Sequence, residues 1–230
     1  MLMKNQKIVF GVDEVGRGSL AGPVMACAIT KIISHSRSVT LSDSRPRVAK
    51  ALAAAQGSHL RDSSPACWRV QNDKIRDSKK LSPRQREAVY NFLKKNPQIK
   101  WGIGKVGERV IDKINIFEAT KLAMVKAVQN LEKKINKKAG QLLIDGNFAI
   151  PIQRKQKSII KGDEKVEIIA LASIVAKVER DRLMTCLHKK YQQYGFNQHK
   201  GYGTVHHFEM IRRFGICDIH RRSFNLGQRF

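Results

Sequence analysis

The sequence predicts an α/β domain with a central mixed β-sheet flanked by helices, and three observations lead there. Short apolar, β-prone runs open the chain and recur in its second half. Segments with helical periodicity fill the intervals between the later runs. Strands therefore come first and helices alternate with strands afterwards, an order that suits a mixed sheet. At 230 residues the chain has length and apolar content for one large domain. Residues 1–230 are accordingly read as a single domain carrying a surface insertion at 34–72.

The elements follow in order. Residues 6–12 are an apolar run expected to form the first strand, and Asp13-Glu14-Val15-Gly16-Arg17-Gly18 comes directly behind it. Ala21-Gly22-Pro23 makes a turn, and residues 24–33 return as a second strand antiparallel to the first. Residues 34–72 are rich in serine and arginine and poor in large apolar residues, with one helical-looking piece at 48–55. A segment of that length without its own core reads as a surface excursion. Ser82 is placed to cap a helix with Pro83 at its first position, running to Lys95. Residues 99–106 form a third strand, then a short helix spans about 108–113 and a longer one about 116–134. In the longer helix Leu122, Val125, Val128 and Leu131 recur at helical spacing. Residues 141–146 and 157–163 read as strands, each closing on a carboxylate, Asp145 and Asp163. A helix over about 166–191 gathers Ile168, Leu171, Ala172, Val175 and Val178 on one face. A last helix follows Gly201-Tyr202-Gly203-Thr204 and ends near Phe214.

A formal charge of +25 directs the protein toward a polyanion, and nucleic acid is the commonest. No apolar run reaches the roughly 20 residues that span a bilayer, so no membrane is expected. Cys27, Cys67, Cys186 and Cys217 are scattered without a Cys-x-x-Cys pair, and the N-terminus lacks a signal-peptide pattern. Both fit a reducing cytoplasm and count against a zinc site or a disulfide framework.

Against that basic background, acids gather at predicted strand ends: Asp13 with Glu14, Asp145 and Asp163. Each has an ordinary reading alone, as a turn residue or a helix-leading acid. Adjacent strands, however, bring their ends to within about 4.8 Å of one another. Carboxylates collected there repel one another unless cations intervene. Hard divalent ions such as Mg²⁺ take oxygen ligands, and a pair of them supports in-line phosphodiester cleavage. Gly16 and Gly18 leave the backbone free to press against a ligand, and Arg17 suits a phosphate.

These motifs resemble the type 2 ribonuclease H family, ribonuclease HII. The resemblance rests on Asp13 to Val24, on Asp77-Ser78-Lys79-Lys80-Leu81-Ser82 and on Ile144-Asp145-Gly146. It continues through Lys161-Gly162-Asp163, residues 172–178 with Arg180-Asp181, Gly201 to Thr204, and His220-Arg221-Arg222-Ser223-Phe224. It covers nearly the whole chain except 34–72, a segment longer than the family leads one to expect. It implies a ribonuclease H-like fold and a Mg²⁺- or Mn²⁺-dependent endonuclease of RNA–DNA hybrids and of single ribonucleotides embedded in duplex DNA, leaving 3′-hydroxyl and 5′-phosphate ends. By the same resemblance Asp13, Glu14, Asp145 and Asp163 would bind two metal ions. The Gly16-Arg17-Gly18 backbone would contact the ribose 2′-hydroxyl, and Tyr202 would sit where ribonucleotide passes to deoxynucleotide. Lys79 and Arg180 would hold phosphates or orient carboxylates. Type 3 relatives are expected to carry Lys in place of Arg17 and a further N-terminal domain, so type 2 is favoured. A C-terminal helical extension would be short or absent, and a monomer is expected.

Two rivals explain less. A non-catalytic basic nucleic-acid-binding protein accounts for the charge but not for acids at strand ends. Another polynucleotidyl transferase of the same superfold, an integrase for example, does not predict Gly16-Arg17-Gly18 with Tyr202. His206, His207 and His220 lack ligand-spaced partners and are assigned structural or phosphate-facing roles rather than a metal.

Overall fold

The structure, a computed structural model, describes residues 8–32 and 81–227. The predicted excursion at 34–72, its helix at 48–55, and Lys79 lie outside the described residues. Five strands form one mixed sheet in the order β3-β2-β1-β4-β5. β1 (Val9–Val15) lies at its centre, antiparallel to β2 (Val24–Lys31) and parallel to β4 (Gln141–Asp145). β3 (Ile99–Val106) pairs antiparallel with β2, and β5 (Gln156–Ile159) parallel with β4.

Two long helices cover the two faces. α2 (Glu108–Ile135) packs on Phe10, Val12, Val24, Ala26 and Ala28 through Ala119, Ala123, Ala127 and Leu131. On the opposite face α4 (Glu167–Lys190) and α1 (Pro83–Lys95) pack on Cys27 and Ile29. The period-2 alternation of β1 and β2 thus supplies both layers. Residues 168–176 of α4 are buried all round, because sheet and α1 enclose that half of the helix. Gly11 lets it approach, since a Cβ there would collide with the Ile168 carbonyl. Gly102 and Gly104 do the same for α2 against β3. There Lys126, Asn130 and Lys134, one turn apart, donate to the carbonyls of Lys105, Ile103 and Trp101 at 3.5, 2.8 and 3.3 Å.

The helix boundaries follow local chemistry. Ser82 caps α1 with Pro83 at the first position, as the sequence predicts, and Gln85 completes a reciprocal capping box. The two helices expected at 108–113 and 116–134 are both present within α2 and meet at a non-helical Asn115 (φ 65°, ψ 167°). Its side chain recaps the second part by accepting from the amides of Phe117 and Glu118. Beyond α4 lie a 3₁₀ turn (Gln192–Tyr194), a one-turn α5 (Phe196–His199) and α6 (Val205–Phe214). Thr204 caps α6 by accepting from the His207 amide.

Two expectations need correcting. β1 runs on through Val15, so Asp13 and Glu14 belong to the strand and do not follow it. Asp163 does not end a strand either: β5 stops at Ile159, and Lys161 turns through the left-handed region (φ 54°). Asp163 then falls in a one-turn helix, α3 (Gly162–Lys165).

Candidate active site

The parallel register of β1 and β4, with Val12 opposite Ile144, brings Asp13 and Asp145 side by side at one end of the sheet. The Gly162 amide donates to Asp145 Oδ1 at 2.6 Å and ties α3 to the end of β4, which draws Asp163 in. Asp13, Asp145 and Asp163 each present an oxygen within 4.8 Å of the other two. Asp13 lies on the α4 face of β1, where the Ser173 hydroxyl bonds it and the Glu14 amide donates to its Oδ1 at 2.7 Å. Strand alternation turns Glu14 away from Asp13, so it stands outside that set of three. Its Oε1 accepts from Arg17 Nη1 at 3.3 Å, while its buried Oε2 has no hydrogen-bond partner.

This acid set is electrostatically loaded. Burial, then the charges of Glu14 and Asp145, push the Asp13 carboxyl well above the ordinary aspartate range. Burial also raises Glu14, with Arg17 opposing and Asp145 adding to the rise. Carboxylates, one with an orphaned oxygen, are thus held close enough to repel one another, with Arg17 opposing the repulsion at Glu14. The donors are all hard oxygens, which fits a divalent ion of the Mg²⁺ or Mn²⁺ class.

The acids line a cavity of about 280 Å³ together with Gly16, Arg17, Gly18, Arg86, Ser173, Lys177 and Tyr202. A larger cavity of about 670 Å³ adjoins it and shares Arg86, Lys177 and Tyr202. Tyr202 stands half-buried at their junction, with Lys177 Nζ and the Arg180 guanidinium each 5.6 Å from its ring centre. A bridge between Ser19 and Tyr202, with the Leu20 amide donating to the Gly201 carbonyl at 2.8 Å, fixes that ring beside the glycine turn. Gly16 has φ 87°, a conformation costly for any residue with a Cβ.

One predicted site residue faces elsewhere. Arg180 is fully buried, and its guanidinium donates to the carbonyls of Pro23, Ala21 and Lys200 at 3.1, 3.2 and 2.9 Å. It braces the backbone behind the cavity and offers no face to a phosphate. Sequence reasoning in turn passed over Ser173, Lys177 and Arg86 as cavity residues. The pair at 173 and 177 carries a signal beyond its place in the family motif, an i, i+4 spacing of polar residues within the apolar stretch 168–178. Of the three histidines read as structural or phosphate-facing, His207 and His220 are buried in a hydrogen-bonded chain, while His206 is exposed. The Cys217 amide donates to His220 Nδ1 (2.9 Å), His220 Nε2 meets His207 Nε2 (3.1 Å), and His207 Nδ1 bonds the Tyr202 carbonyl (2.9 Å).

The chain is similar to known proteins over most of its length. The ribonuclease HII family model matches residues 67–226. Ribonuclease HII of Chlamydia caviae is 43% identical over 217 residues, covering 94% of this chain and 84% of the relative. That of Syntrophus aciditrophicus is 40% identical over 220 residues, covering 96% and 85%. Among solved structures, ribonuclease HII from the Archaeoglobus fulgidus complex with PCNA superimposes with a TM-score of 0.65 at 21% identity, covering 94% of this chain and 95% of that one. A ribonuclease HIII structure in complex with Mn²⁺ gives 0.64 at 17% identity, covering 97% of this chain and 69% of that one.

Proposed function

Because the chain belongs to the ribonuclease HII family, and is thus a ribonuclease H hydrolysing phosphodiester bonds, we propose that it cuts both RNA–DNA hybrids and single ribonucleotides embedded in duplex DNA. The observation that carries this reading is the convergence of Asp13, Asp145 and Asp163 beside the Gly16-Arg17-Gly18 turn and Tyr202. Asp13, Asp145 and Asp163, with Glu14 as a fourth donor, hold two Mg²⁺ or Mn²⁺ ions. When bound, these supply Lewis-acid polarisation of the scissile phosphate and a water acidic enough to attack it.

The rest is done by the chain's own groups. Ser173 and the Gly162 amide fix the orientation of Asp13 and Asp145. The glycine-flanked amides reach the 2′-hydroxyl, the one group that separates RNA from DNA at a given nucleotide. The Tyr202 ring lies against the following deoxyribose, where an added hydroxyl would crowd it. Arg17, Arg86 and Lys177 meet strand phosphates, and Lys79 is assigned the same task from its motif. In-line attack leaves 3′-hydroxyl and 5′-phosphate ends. In the cell this activity serves removal of ribonucleotides during DNA replication and repair, by a monomer in the cytoplasm.

A duplex with one embedded ribonucleotide, incubated with and without Mg²⁺, is the direct test. Metal-dependent cleavage at that ribonucleotide is expected. An intact strand, in conditions where a long hybrid is cut, would overturn the single-ribonucleotide assignment.

A further inference from the structure

Arg221 is fully buried behind the glycine turn, and each of its three guanidinium nitrogens donates to a backbone carbonyl. Nε donates to the Gly22 carbonyl at 3.0 Å, Nη1 to the Arg17 carbonyl at 2.8 Å and Nη2 to the Gly16 carbonyl at 2.7 Å. Among the described residues no carboxylate is seen to hydrogen-bond it, so three carbonyl dipoles, helped by the more distant charges of Glu108 and Asp112, compensate a buried cation. Such a cation is costly to place. Its cost has a return in geometry.

A trans peptide points its C=O and N–H in opposite directions, and the described chain has no cis bond. Fixing the carbonyls of Gly16 and Arg17 on Arg221 therefore turns the amides of Arg17 and Gly18 the other way. Both residues line the acid cavity on that side. From this we infer that Arg221 is a specificity-determining positioning residue: it aims the Arg17 and Gly18 amides at the ribose 2′-hydroxyl without touching substrate.

The planar fork matters here as much as the charge. Three donors at fixed angles hold two consecutive carbonyls and a third from Gly22 at once, and a lysine ammonium cannot span them. Arg221 is itself set from outside: Asp112 accepts from the amides of Arg222 and Ser223 at 3.1 and 2.9 Å, and from the Ser223 hydroxyl at 2.7 Å. The Arg221 amide donates to the Leu20 carbonyl at 2.9 Å, which closes the loop of contacts.

The inference rests on the proposed reading of the 2′-hydroxyl, and the test separates the two. KM is measured for a duplex with one ribonucleotide, and Ki for the identical all-DNA duplex as competitor. In the unaltered protein KM should lie well below Ki; equality would remove the 2′-hydroxyl reading itself. In Arg221→Lys and Arg221→Met, folded by circular dichroism, KM should rise about tenfold while Ki stays within twofold. A purely structural role would move both together or neither, and either result overturns the inference. If neither variant folds, Asp112→Ala replaces them. It should narrow the Ki/KM ratio two- to threefold, and an unchanged ratio overturns the inference.

Discussion

Replacing Asp13 by Asn should stabilise the metal-free protein and silence it. Two carboxylate oxygens within 4.8 Å repel by about 3 kcal/mol at an effective dielectric of about 20. Against this stands a weakened hydrogen bond from the Ser173 hydroxyl, worth about 1 kcal/mol. The Glu14 amide keeps an acceptor in the asparagine carbonyl. The net expectation is about 2 kcal/mol of added stability without metal, or a rise in Tm of roughly 4–8 °C for a chain of this length. The sign of its pH dependence is fixed. The folded carboxyl binds its proton at higher pH than the unfolded one, so repulsion eases as pH falls, and the gap between variant and wild type closes on acidification. Melting in EDTA and in Mg²⁺ reads all of this. Wild type should gain stability from Mg²⁺ and Asp13→Asn much less, while cleavage falls by at least about a hundredfold, the loss of several kcal/mol. A variant that melts lower in EDTA, or turns over normally in Mg²⁺, refutes the metal-centre reasoning.

Three further outcomes are expected. Tyr202→Ala should slow cleavage at a lone ribonucleotide by about 1–3 kcal/mol and spare a long hybrid, without changing Mg²⁺ dependence; equal losses on both substrates would make Tyr202 structural. Gly16→Ala should destabilise the protein by at least roughly 2 kcal/mol in thermal melts, since φ is 87° and the new Cβ collides with the Arg180 guanidinium; near-wild-type stability would mean that the turn is not held there. His207 and His220, pushed down to about 4 by burial and neighbouring imidazoles, should stay neutral in an NMR titration until near that pH. The unfolded imidazoles protonate first, so this pair withdraws stability as pH falls from about 6.5 toward 4, and a midpoint near 6.5 for either ring would contradict its buried hydrogen bonds.

Much of the fold and site was legible because its signals are local. The Ser82 cap, the Asn115 break between two periodic stretches and the five strands each depend on residues within a few positions of one another. The acid set was legible because carboxylates on a chain of charge +25 demand a reason. What escaped was set by distant contacts. The place of Asp163 depends on Lys161 adopting a left-handed turn and on the Gly162 amide finding Asp145. Arg180 looked like a phosphate ligand because its partners are backbone carbonyls of residues 21, 23 and 200, and carbonyls leave no trace in a sequence. Arg221 was visible only as part of a motif for the same reason.

The contacts between α2 and β3 have a consequence for how the protein behaves at high concentration. β3 is an outer strand, and its outward carbonyls would ordinarily be a template for a strand from another molecule. Lys126, Asn130 and Lys134 occupy three of them, and they reach them because Gly102 and Gly104 let the helix lie close. The opposite margin, β5, is only four residues long. Both margins of the described sheet thus offer less to a strand from a second copy than bare edges of ordinary length would. Lysines that count toward the charge of +25 thereby also shield an edge of the sheet.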